Sequence, residues 1–130
     1  MTEGFSPPER SAHESAAAWK STEALKLLNG DFELLRELCQ IFLTESPKLM
    51  QKLQQALLEK DADALMRAAH RLKDEVSYLG APRAMLAAAQ LEEIGHGKDL
   101  SRAGEVLTVL QNETSTLQLG LQQLLMGLIP

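Results

Sequence analysis

The stretch DADALMRAAHRLKDEVSYLG, residues 61–80, decides how this chain folds. On a wheel of about 100° per residue, Leu65, Ala68, Ala69, Leu72, Val76 and Leu79 gather on one side. That is the apolar stripe of a helix with one face against a core. Asp61 stands where an N-cap is wanted, and Gly80 closes the pattern.

Working outward, a long helical pattern from about Phe32 to Glu59 precedes this segment, with Asp31 placed to cap it. Its apolar positions are Leu35, Leu38, Phe42, Leu49, Leu53, Ala56 and Leu57, and Pro47 predicts a kink or a one-turn break. Downstream, Pro82 suits the first turn of a helix that runs to about Ile94, where Gly95-His96-Gly97 is expected to stop it. A last helix begins near Asp99 and carries Leu100, Ala103, Leu107, Leu110, Leu117, Leu121, Leu124 and Leu128, with Thr114 interrupting the stripe once. Near the N-terminus, Trp19, Leu25 and Leu28 anchor a further helix from about Glu14 to Leu28, and Asn29-Gly30 ends it. Residues 1–12, with Pro7 and Pro8 and no periodicity, read as a flexible segment, leaving 13–130 as one domain.

Four substantial helices with short corners predict an all-α, antiparallel up-and-down four-helix bundle, with the additional N-terminal helix across one end. The expected core includes Leu35, Leu38, Phe42, Leu53, Leu65, Leu72, Leu86, Leu107 and Leu110. The frequent, well-marked corners argue for a monomer over a long coiled-coil dimer.

Composition agrees with this. Hydrophobic residues make up 45% of the 130 and aromatics only 4%, so Leu and Ala supply most of the apolar content. The net charge is −5 and no cluster of Lys and Arg forms a basic face, which argues against nucleic acid. No apolar run is long enough to span a bilayer, and Met1–Arg10 lacks the order of a signal peptide. The single cysteine, Cys39, lies in an apolar stretch and reads as a buried structural thiol. These features predict a cytoplasmic protein.

Of the three histidines, His13 falls near the flexible segment and His96 between two glycines, and both read as solvated. His70 lies about 160° from Leu72 on the wheel, nearly opposite the core stripe, so it is not a core histidine. Its neighbours on that face are Asp63, Met66, Arg67, Lys73, Asp74 and Ser77. Arg67 at i−3 and Lys73 at i+3 can both reach the surroundings of the imidazole. Two flanking cations disfavour a protonated ring and favour one that acquires a dianionic group. A neutral imidazole is also what a phosphoryl-accepting nucleophile needs.

The run Ala68-Ala69-His70-Arg71-Leu72-Lys73 through Leu79-Gly80-Ala81 resembles the histidine-containing phosphotransfer (HPt) family. His70, Leu72, Lys73, Gly80 and Ala81 match that family's pattern in register. The similarity extends to Asn29-Gly30-Asp31, to Phe42-Leu43 with Pro47, and to the Leu91-Glu92 pair. The resemblance implies a phosphorelay protein in which His70 carries the phosphoryl group and Lys73 steadies it. Response-regulator receiver domains and sensor or hybrid histidine kinases would be its partners. It implies no ATP site, hence not an enzyme, and no cofactor of its own, the Mg²⁺ used in transfer belonging to the receiver. Arg67, Arg71, Asp74 and Ser77, around the histidine, are then candidates for docking or tuning.

Two residues depart from the family. Asp74 stands where glycine is usual and Glu75 where a small residue is usual. Asp74 is one turn from His70, and unit charges about 6 Å apart repel by about 0.7 kcal/mol in water and about 3 at an effective dielectric of 20. Arg71 is spaced to pair with both carboxylates. The departure supports an alternative, a degenerate module that docks on a receiver or kinase without carrying phosphate. A metal site on His70 and Asp74 is a weaker reading, because no further ligand is placed beside them.

Overall fold

The computed structural model describes residues 19–127. Five α-helices and one 3₁₀ turn make up this part, and no strand occurs among the described residues. Helix α1 spans Ser21–Leu27, α2 Phe32–Leu58, α3 Ala62–Ser77, α4 Pro82–Gly97 and α5 Ala103–Leu125, with the 3₁₀ turn at Leu100–Arg102. The expected segment 1–12, the start of the first helix and Leu128 lie outside the described residues.

The corners form for local reasons. The Asp31 carboxylate accepts the Leu34 N–H at 3.0 Å, and the Asp61 carboxylate accepts that of Ala64 at the same distance. Asn29, Gly30, Lys60 and Gly80 adopt positive φ and turn the chain back on itself. Helices α2 to α5 then pack in sequence order, with α5 closing on α2. This is the expected four-helix bundle. Phe42, Leu35, Leu53, Leu65, Leu72, Leu91, Leu110 and Leu121 fill its centre. No helix among the described residues is long and apolar enough to cross a membrane.

The extra N-terminal helix covers the corner between α3 and α4. Trp19 lies before α1, not within it as expected. Its indole N–H donates to the Leu79 carbonyl, and its side chain lies against Gly120 of α5. Ala24, fully buried, sits over Gly80.

Four expectations are corrected. Pro47 does not break α2, which is helical from Phe32 to Leu58. Pro47 is exposed, so the carbonyl it leaves unbonded can turn to water while Phe42, Ser46, Leu49 and Leu53 hold the inner face. Gly95-His96-Gly97 does not end α4. The stop is Lys98, in the left-handed conformation at φ 63°. Gly95 is buried because α3 and α4 approach so closely there that a Cβ would lie 2.8 Å from the Ala62 carbonyl oxygen and the Met66 Cβ. Leu86, expected in the core, is 59% exposed; α4 turns Ala84, Ala87, Ala88 and Leu91 inward instead. Leu38 is only partly buried, packed against the core from its edge.

Thr114 and Cys39 are accommodated. Thr114 is buried with its hydroxyl donating to the Gln111 carbonyl, so the polar break in the α5 stripe is satisfied. Cys39 is buried as expected, and burial pushes its thiol up to about 11, which keeps it protonated and inert.

Candidate functional site

Helix α3 buries Leu65, Ala68, Ala69, Leu72 and Val76, which turns His70 outward. Its side chain remains 54% exposed. Small residues govern what it meets on one side. Ala69 of α3, with Ala84, Ala87, Ala88 and Gly95 of α4, are all buried and let the two helices approach closely. The close approach brings Glu92 of α4 across the groove to α3.

Glu92 is the residue that wheel reasoning on one helix missed. Its Oε2 lies 2.7 Å from His70 Nδ1, and its Oε1 accepts from Lys73 Nζ at 2.7 Å. Histidine and lysine do not bond each other; one carboxylate joins them. Hydrogen bonding from Lys73 holds the Glu92 carboxyl below the usual glutamate range, against the opposing effect of burial. The same bond raises the Lys73 ammonium. Glu92 is therefore ionised and can only accept, so the proton between it and the imidazole belongs to Nδ1. The lone pair of the neutral ring then lies on Nε2. The signal in the sequence was the Leu91-Glu92 pair, which marked the segment without giving Glu92 a task.

On the other edge of the ring, Asp74 Oδ2 lies 3.4 Å from Nε2. Of the two carboxylates spaced to pair with Arg71, Asp74 contacts the histidine. Arg71 instead faces Glu75, with Nε 3.8 Å from Oε2. Ser77 donates its hydroxyl to the Asp74 carbonyl at 2.7 Å, so it braces the end of α3 and makes no contact with the imidazole. Arg67 lines, with Arg71 and Lys52, a groove between α3 and α2. Among the described residues, no group of three or more His, Cys, Asp or Glu side chains is arranged to hold a metal ion.

The family model described as Hpt domain matches residues 37–125. Among solved structures, histidine-containing phosphotransfer protein B (HptB) from Pseudomonas aeruginosa superposes with a TM-score of 0.73 at 24% identity, covering 81% of this chain and 91% of that one. At that identity the likeness speaks for the fold. No curated protein sequence matches the chain.

Proposed function

This chain belongs to the Hpt domain family, and we propose that it carries a phosphoryl group on His70 Nε2 between receiver-domain aspartates of a phosphorelay. Proteins of this family are phosphocarriers, not kinases, and work with response-regulator receivers and histidine kinases. The observation that carries the assignment to His70 is the 2.7 Å contact between its Nδ1 and Glu92, which directs the lone pair of the exposed ring to Nε2.

In the forward step, the Nε2 lone pair attacks the phosphorus of a receiver aspartyl phosphate. The N–P bond forms as the P–O bond breaks, and the aspartate leaves as a carboxylate with the bonding pair. The Nδ1 proton need not move. The ring becomes cationic, and the Glu92 carboxylate against Nδ1–H offsets that charge. Lys73, one turn along α3, offsets the charge of the phosphoryl oxygens. Any Mg²⁺ would sit on the receiver, and the carrier itself would need no cofactor. We place the protein in the cytoplasm with its receivers, acting as a monomer.

The test is incubation with phosphorylated receiver domains while acid-labile phosphate is followed. His70→Gln should abolish the label and leave the circular dichroism spectrum unchanged; label that persists would overturn the assignment. Lys73→Ala should weaken the label without removing it.

The 3.4 Å contact of Asp74 with Nε2 favours a second reading, a module that docks without carrying phosphate. Asp74→Gly removes charge and bulk, and Asp74→Asn only the charge. If Asp74 merely tunes the carrier, relieving about 1–3 kcal/mol of barrier speeds transfer about 5- to 150-fold. If neither variant nor the parent takes up phosphate, the docking reading stands in its place.

A further inference from the structure

A phosphoryl group on His70 brings negative charge to one atom, Nε2, and the two ends of the ring meet that charge differently. Glu92 stands at the far end, 2.7 Å from Nδ1. A phosphorylated ring that keeps its Nδ1 proton is a cation, and Glu92 offsets that cation. Asp74 stands at the other end, with Oδ2 3.4 Å from Nε2. Its carboxylate therefore meets the phosphoryl oxygens, which carry the same sign of charge.

The neighbouring cations give little relief. Lys73 bonds Glu92 Oε1 at 2.7 Å, so its charge is divided between that carboxylate and any phosphoryl group. Arg71 faces Glu75 at 3.8 Å. Arg67 lines the α2/α3 groove and has no ion pair among the described residues, so its charge is what remains to offset Asp74. Two carboxylates against one ammonium thus surround the ring before phosphate arrives. The Asp74 side chain is 58% exposed, so water and salt weaken its repulsion without removing it.

We propose that Asp74 makes this carrier a point of transit and not a store: it destabilises phospho-His70, so that phosphoryl groups come to rest on receiver aspartates. This rests on the carrier reading above and goes beyond it, because it concerns the equilibrium of transfer and not only the barrier. Uptake then requires a donor of high transfer potential, an acyl phosphate kept abundant upstream, and the consumer is a receiver aspartate. In delivery an aspartate oxygen attacks phosphorus. The N–P bond breaks with its electron pair returning to Nε2, and the ring becomes neutral with its proton still on Nδ1.

The experiment uses the whole chain and a receiver domain from its organism, supplied with Mg²⁺. Measuring kcat/KM for transfer in both directions gives the equilibrium constant as their ratio. A change in docking strength multiplies both directions alike and drops out of that ratio. Asp74→Asn removes the charge and keeps the bulk. It should move the ratio about tenfold or more toward phospho-His70, equivalent to about 1.4 kcal/mol. Faster uptake and slower delivery should share the shift. Raising salt should narrow the gap between variant and parent. Asp63→Asn is the control for net charge. Asp63 lies two turns before His70 on α3, 3.5 Å from Lys98, and its loss should change the ratio by no more than about twofold.

An unchanged ratio in Asp74→Asn would overturn the proposal, as would an equal shift in Asp63→Asn. Treating the parent with phosphoramidate, a small phosphoryl donor to histidine, examines the carrier reading by itself. If His70 takes label and the ratio does not move, the carrier stands and this role of Asp74 falls. If His70 takes label from neither phosphoramidate nor receiver, the carrier reading falls and this proposal with it.

Discussion

On the α4 side of His70, alanines and Gly95 bring two helices into contact, and one carboxylate ties the histidine to a lysine. On the α2 side, longer side chains hold the helices apart around an open groove whose cations are largely unengaged. The same helix, α3, supplies both walls. A glutamate on each side shows what the difference does to a carboxyl. Glu92, bonded by Lys73, is held below the ordinary glutamate range. Glu75, sunk beside Glu45 with its Oε1 lacking any hydrogen-bond partner among the described residues, is pushed above it by burial. Helix spacing thus separates two tasks. The tight side engages one imidazole through Glu92, and the open side leaves Lys52 and Arg67 without an ion pair among the described residues.

The largest effect expected from breaking this contrast comes from Glu92. Glu92→Ala removes a charge-assisted bond of about 1.5–3 kcal/mol from Nδ1, so transfer should slow about 10- to 150-fold. Glu92 acts here as a positioning residue, so a second readout is needed. Nitrogen NMR of the His70 ring should show Nδ1–H dominant in the parent and a mixture of tautomers in Glu92→Ala. Glu92→Gln, whose amide oxygen still accepts, should restore much of the preference. An unchanged tautomer ratio in Glu92→Ala would remove the role assigned to this residue.

Next in size is the spacing itself. Gly95→Ala forces a Cβ to within 2.8 Å of the Ala62 carbonyl oxygen and should destabilise the fold by about 1–3 kcal/mol. Gly97→Ala, two residues on, meets nothing within 4 Å and should stabilise it by about 0.5–1 kcal/mol. Urea unfolding of the two variants compares them directly, and equal effects would mean that the helices do not need to be so close.

The smallest effect lies at Glu75. A carboxyl raised above its unfolded value favours folding while protonated. That stability is present below the ordinary glutamate value of about 4.3 and is lost as pH rises through the raised value. Glu75→Gln should therefore gain stability at pH 7, by no more than about 1 kcal/mol, and gain little or none at pH 4. Equal shifts in urea midpoint at the two pH values would count against the burial of this charge. Glu92 follows the opposite sign. Its lowered carboxyl contributes above the ordinary glutamate value, and the contribution is lost as pH falls through its own.

The difference between the grooves also explains what could be read in the sequence. The apolar stripe of α3 and the caps Asp31 and Asp61 are local, so they fixed the helices and turned His70 outward without any tertiary knowledge. Glu92 was legible only as part of a familiar segment, because its task depends on contact with a different helix. Gly95 read as a terminator since glycine serves both helix ends and close approaches, and only the distance to Ala62 separates the two. Leu86 was placed inside by its size, but a helix that must approach α3 closely buries alanine and leaves its leucine out. The i−3 spacing sets Arg67 next to the imidazole on the wheel; it does not reveal that a groove against α2, formed with a different helix, has Arg67 in its lining.

The central claim, that Glu92 keeps the proton on Nδ1 and leaves Nε2 of His70 to take the phosphoryl group, is tested most directly by the bond that forms. The chain should be phosphorylated by its receiver, or by phosphoramidate where no receiver is at hand, and examined by phosphorus and nitrogen NMR. The account predicts a single acid-labile phosphohistidine, with phosphorus on Nε2 of His70 and none in His70→Gln. Phosphorus on Nδ1, or label on another histidine, would contradict it.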